Sequence, residues 1–283
     1  MLIRRLRRRA CAMLNSETNV KSFFDHSGPR SILLLLLGAA TVLSLTAAQR
    51  KEARVSQVVR DVNLLAPHAA ARPAHLNDNV TEGSAVHTGA DSRTELTFAD
   101  LTITRIGANS IFSFEENGRN VNVENGAILL RVPTDSGGGR IRSSALTVGI
   151  TGTTAMFEHH RRTYTKLIVL EGSSEAWLTK YPGRRVRVRG GQMLVVKAGA
   201  TQLPEPVDID LDRLLRTAIL IIQFPPLPSL NLIRNVANGQ KKSGGPLINP
   251  LVDPTGMSAR DVNASTRPQS TPFKPPGDRN RKP

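Results

Sequence analysis

A chain of 283 residues has room for one or two domains. Its apolar fraction of 39%, with 8 Phe, 2 Tyr and 1 Trp, excludes a large aromatic core and points to a modest one of Val, Ile and Leu, residues that suit a pleated surface. The formal charge of +15 lies mainly at the ends: residues 1–30 carry seven Lys/Arg against two acids and residues 234–283 nine against three, which leaves 22 basic and 18 acidic residues in 49–233. A nucleic-acid-binding fold concentrates its excess on the folded face, so nucleic acid is set aside as a partner.

In chain order, the first feature is an export pattern. Met1 to Arg9 is basic, Ile32 to Ala48 is uncharged with five consecutive leucines (Leu33–Leu37), and Thr46-Ala47-Ala48 supplies small residues for cleavage near Ala48. The same 17 residues reach the short edge of a membrane span, so an uncleaved signal-anchor over 32–48, basic end inside, stands as the alternative. Met13 is a second candidate start. In either form the chain beyond Ala48 is extracytoplasmic, periplasmic or secreted, with inner-membrane anchoring if the segment stays. The single cysteine, Cys11, precedes the apolar run, so the exported part can form no disulfide, and Gln49-Arg50 stand where a lipid-anchoring cysteine would be.

Residues 49–79 read as a lead-in: a bent strand over Ala53–Leu65, then a loop with Pro67 and Pro73. Residues 80–200 are short β-type runs punctuated by glycine, the pattern of an all-β domain. Within them, Ser110–Phe114 and Arg119–Glu124 alternate apolar and polar residues around Glu116-Asn117-Gly118, predicting a hairpin that buries Phe112, Phe114, Val121 and Val123. A loop is expected over Ser136–Gly139, with turns at Tyr181-Pro182-Gly183 and Gly190-Gly191. Residues 201–233 change to a strand leading into one short amphipathic helix, with Asp208, Asp210 and Asp212 at its favourable end, expected to dock on the β module. Beyond Pro225-Pro226, and over 234–283 in particular, Pro, Gly, Ser, Asn and basic residues predict a disordered tail.

Several segments together resemble the FecR-type domain of bacterial envelope proteins. They are Gly83-x5-Gly89 with Ala90-Asp91-Ser92-Arg93, the strand Glu95–Phe98, Arg105-Ile106-Gly107-Ala108-Asn109-Ser110, Glu124-Asn125-Gly126 leading to Leu129–Val132, Val148–Thr153, and Val169-Leu170-Glu171-Gly172. The resemblance covers roughly residues 80–180. It implies a twisted, sandwich-like or solenoid-like all-β module outside the cytoplasm, with Gly83, Gly89, Gly107, Gly126, Gly152, Thr153 and Gly172 as structural positions. In the best-known members such a module relays an outer-membrane receptor's signal through the inner membrane to a sigma factor.

Candidate chemistry is sparse. Thr151-Gly152-Thr153-Thr154 lacks the Gly-Lys of a phosphate loop and reads as a tight bend. His159-His160 are adjacent on a strand and point to opposite sides, so no metal is assigned and the pair reads as a solvated strand end. No cofactor, nucleophile elbow or His-Glu-x-x-His pair is present, so no enzyme is inferred. Arg185, Arg187 and Arg189 alternate with Val186 and Val188 and line one strand face. They guard an edge against aggregation or form an anion-binding stripe for an envelope protein or anionic envelope polymer. The sequence thus reads as a non-enzymatic extracytoplasmic binding or signal-relay module. The alternatives are a single-pass regulator acting through residues 1–30 and an exported structural protein that docks by its basic tail.

Overall fold

The computed structural model describes residues 52–249 except Glu116, Asn117 and Arg119. The apolar segment 32–48, Cys11, Met13, the Glu116-Asn117 turn and residues 250–283 of the expected tail lie outside the described residues. The described part is mostly β-strand with three helices.

The strands form two layers, and the chain passes repeatedly between them. β1 (Glu52–Val59) lies in the first layer, β2 (Val62–Leu65) and β3 (Arg72–Pro73) in the second, β4 (Asn79–Thr81) in the first and β5 (Ala85–Thr88) in the second. β6 (Arg93–Phe98) and β7 (Ile103–Ile106) return to the first, and β8 (Ile111–Glu115) to the second. β9 (Asn120–Val132) belongs to both. β10 (Gly139–Arg142) and β11 (Leu146–Ile150) lie in the second layer, β12 (Thr153–His160) and β13 (Tyr164–Glu171) in the first. β14 (Ser173–Leu178) and β15 (Tyr181–Arg189) lie in the second, β16 (Gln192–Lys197) and β17 (Val207–Asp208) in the first. The first layer runs β4-β1-β6-β7-β9-β12-β13-β16-β17 and the second β3-β2-β5-β8-β9-β10-β11-β14-β15. Among the described residues every strand pairing is antiparallel except β9 with β10; the isolated bridge Ile209–Ile248 is also parallel. The residues read as a lead-in are therefore part of the sheets, and Val55, Val62 and Leu64 are buried in the core.

The core between the layers is mainly aliphatic, with Phe98, Phe112, Phe114 and Phe157 among the Val, Ile and Leu, and takes alternate residues from each strand. Phe112, Phe114, Val121 and Val123 are all buried there, with Phe112 opposite Val123 and Phe114 opposite Val121, as the alternation predicts. The two runs on either side of Gly126 form one strand rather than two. Gly126, at φ +95°, is where β9 leaves the second layer for the first, and a Cβ there would lie 2.1 Å from Ser110 Oγ and 2.5 Å from Ser110 Cα. Glycine is the residue that meets both demands.

The middle of the first layer, around β12 and β13, is buried on both faces, whereas β1 and β4 at one edge keep an exposed face. β13 is buried at every position: Leu167 and Val169 face the inter-layer core, while Ile168 and Leu170 face a second cluster under the helices. This accounts for its continuous apolar run, since alternation appears only where one face meets water. Over that outer face lie α1 (Leu211–Thr217), α2 (Ile219–Ile222, one turn) and α3 (Leu230–Ser243), which contribute Leu211, Leu214, Leu220, Ile233 and Ala237. The side chain of Asp210 caps α1 by accepting from the Arg213 N–H at 2.9 Å.

The C-terminal reading needs correction. A single short helix and disorder beyond Pro226 were expected, yet α3 occupies 230–243 and Ile248 is hydrogen-bonded to both sides of Ile209 (Ile248 N–H to Asp208 O, 2.9 Å; Asp210 N–H to Ile248 O, 2.8 Å). Only Ile233 and Ala237 of α3 are buried, so the burial that orders it is supplied by the sheet below.

Candidate functional site: the outer face of the second layer

β15 is the edge strand of the second layer. Val186 and Val188 are buried, whereas Arg185, Arg187 and Arg189 are exposed on the opposite, outward face. The pairing registers extend that face into two rows across five strands. One row runs Asn120, Arg140, Gly149, Glu175, Arg187 and the next Asn122, Arg142, Thr147, Trp177, Arg185. Arg189 stands opposite Ser173, beyond the rows.

The two arginine pairs differ in their surroundings. Glu175 holds Arg185 at 3.3 Å and Arg187 at 3.8 Å. Arg140 and Arg142 are exposed and have no acidic partner among the described residues. Within its row Trp177 stands between Thr147 and Arg185: Arg185 stacks over its ring at 4.7 Å, and Gly149 on the neighbouring strand lies beside the indole. On either side of Trp177 open two adjoining hollows of about 410 and 550 Å³, which share Asn120, Arg140 and Trp177 as walls. The sequence singled out the β15 arginines; it carried no sign that Arg140, Arg142 and Trp177 share their face.

The motif positions cluster where the chain changes layers. Gly83, at φ +79°, sits in the connection β4–β5; Gly89 and Gly107 sit in the connections β5–β6 and β7–β8; Gly152 and Gly172 lie at the crossings β11–β12 and β13–β14. The latter two crossings are packed back to back, so that a Cβ on Gly172 would lie 2.5 Å from Gly152 O. Thr153 Oγ1 ties them together by bonding the carbonyls of Thr151 and Ser173, both at 2.9 Å.

Two other polar clusters are structural in geometry. Arg105 of β7, fully buried, donates from Nε to Glu95 (2.8 Å) and from its two terminal nitrogens to the carbonyls of Leu220 (2.9 Å) and Pro225 (2.5 Å), with the Phe224 ring 4.8 Å away. It pins the helical segment to the first layer. Burial pushes its guanidinium below the ordinary value, against the pull of Glu95. On β12 and β13, Glu158 meets Lys166 at 2.5 Å, His160 at 2.8 Å and the Tyr164 hydroxyl. Burial raises its carboxyl, but these partners outweigh that and hold it below the usual range.

His159 is not a solvated strand end: it is 1% exposed, between the hydroxyls of Thr165 (2.7 Å) and Ser144 (3.0 Å). Burial, with His160 and Arg161 nearby, pushes its pKa down to about 4. The Ser144–His159 spacing is that of a nucleophile and base, but such a weak base, oriented by a hydroxyl instead of a carboxylate, is poorly suited to drawing a proton from serine.

This is an all-β domain of the antiparallel, layer-crossing kind, with a helical cover on one face. Residues 84–175 match the model of the FecR protein family, and that segment is a FecR domain. Two crystal structures of a candidate anti-sigma factor from Parabacteroides distasonis are similar, each with a TM-score of 0.40: one at 16% identity over 53% of this chain and 74% of its own, the other at 15% identity over 46% and 63%. None of the curated proteins matches the chain. No helix among the described residues is long and apolar enough to cross a membrane.

Proposed function

We propose that the protein is a non-enzymatic, extracytoplasmic binding or signal-relay module of the bacterial envelope, in which the FecR domain is the recognition element. The observation that carries this reading is the match over 84–175 joined to an outward arginine-lined face on those same strands and their neighbours. The basic start and apolar run at 32–48 support delivery across the inner membrane, either as a cleaved signal or as an anchor. The polar clusters of the interior are accounted for by pairing, so recognition falls to the surface.

The second reading is a single-pass regulator. It is favoured by the basic segment of residues 1–30, which an uncleaved anchor would leave in the cytoplasm to meet a partner such as a sigma factor. Fractionation of the expressed full-length protein with determination of its N-terminus tests both. A terminus near Gln49 in the soluble envelope fraction supports the binding module and removes the inward relay. An intact terminus in the membrane fraction supports the regulator, and a protein confined to the cytoplasm overturns both.

A further inference from the structure

Resting on the binding-module reading, we propose that the two hollows flanking Trp177 form one groove for a carboxylate-bearing polysaccharide, an acidic glycan chain lying across β9, β10, β11, β14 and β15. Arg140 and Arg187 stand three strands apart in one row, about 14 Å at the usual strand spacing, so the site is wider than a single sugar. Between them in the row stand Gly149, beside the Trp177 ring, and Glu175, which engages Arg185 and Arg187, so the arginines free of acidic partners lie at the β10 end of the groove.

The chemistry of the walls selects the occupant. Arg140 and Arg142 are two cations without acidic partners among the described residues, and a guanidinium matches a carboxylate in a bidentate fork. Asn120, Asn122 and the Thr147–Thr179 hydroxyl pair (2.9 Å) offer donors and acceptors suited to sugar hydroxyls. Trp177, partly exposed and stacked by Arg185, supplies the aromatic surface. The lining carries Arg140, Arg142, Arg185 and Arg187 against the carboxylates Glu115 and Glu175, so the groove is polar and net basic, which suits a hydroxyl-rich anionic chain. Arg185 and Arg187, which share the single carboxylate of Glu175, border the groove and leave the β10 arginines as its anion-binding centre.

Trp177 is the only tryptophan of the chain, so its fluorescence reads the groove directly. The experiment titrates the full-length protein with an oligomannuronate, with an oligoglutamate of equal length and with a neutral oligoglucoside. The expected result is a saturable change with oligomannuronate that weakens with added salt. Affinity should fall at least tenfold in R140Q/R142Q and stay unchanged in R213Q/R234Q, which removes the same charge from the helical face. Both variants change exposed side chains, and unaltered thermal melting checks that they fold. No saturable change, equal affinity for the neutral sugar, tighter binding of oligoglutamate, or an unaffected R140Q/R142Q variant overturns the proposal. An exported protein that fails to bind oligomannuronate refutes the glycan alone and leaves the binding-module reading standing; a cytoplasmic location refutes that reading whatever the titration gives.

Discussion

Arg105→Leu is the sharpest test of how the helical segment is held. The substitution removes the cation that Glu95 meets in a buried site, leaving that carboxylate, 8% exposed, with Ser56 Oγ (2.8 Å) as its remaining side-chain partner. It also strips the Leu220 and Pro225 carbonyls of their guanidinium donor. Breaking a buried ion pair by deleting one partner costs about 3–5 kcal/mol. Charge-assisted hydrogen bonds of about 1.5–3 kcal/mol each are already part of that figure and do not add to it. Since a domain of this kind is stable by about 5–15 kcal/mol, the variant should unfold at clearly lower urea, and the loss should concentrate where α2 and the segment through Pro225 meet β7. Hydrogen exchange should show faster amide exchange across Leu211–Ile222 at a denaturant concentration where the sheet stays protected. The double variant R105L/E95L should recover part of the stability, because no charge is then left buried alone. A single variant within about 1 kcal/mol of the parent, with unchanged helix protection, would refute the latch.

The buried His159 titrates near 4 in the folded chain against 6.5 when free, so below pH 6.5 the unfolded state binds the extra proton first. Stability is therefore lost as pH falls from 6.5 towards 4, and urea midpoints for His159→Gln should show a flatter dependence over that window. Gly126→Ala forces a side chain into Ser110 at positive φ and should cost upwards of about 3 kcal/mol or prevent folding, while an alanine at Gly183, where nothing lies within 4 Å, should be nearly silent in the same melt. Truncation after Pro228 removes α3 with Ile233 and Ala237 and partly uncovers the outer face of the first layer; it should raise binding of a hydrophobic dye without abolishing the β signal in circular dichroism.

Much of the β architecture was legible because strand periodicity is local. Phe112, Phe114, Val121 and Val123 announced their common face, and Val186 and Val188 announced that the alternating Arg185, Arg187 and Arg189 point outward. The FecR segments were equally readable, being contiguous runs of residues. The unbroken run Leu167–Leu170 indicated burial on both faces but not what covers the second one. The helix at 230–243 escaped because its three asparagines, Gly239 and position just after two prolines matched the composition of a tail and masked the helical spacing of Leu230, Ile233 and Ala237, the last two of which meet the sheet. His159 escaped for a related reason: its place at a strand end beside two arginines suggested water, and only packing shows it enclosed.

Local sequence dictates which residues alternate, where glycine lets the chain turn, and that the chain beyond Cys11 relies on a Val/Ile/Leu core without disulfides. Register and layer order belong to the tertiary structure. A strand's periodicity tells which side chains share a face but not which strand lies beside it, since pairing is a contact between distant segments. That non-local choice sets Arg140 and Arg142 in the same rows as Trp177, Arg185 and Arg187, roughly 35 to 45 residues away, and brings Arg105 to carbonyls more than 110 positions along the chain.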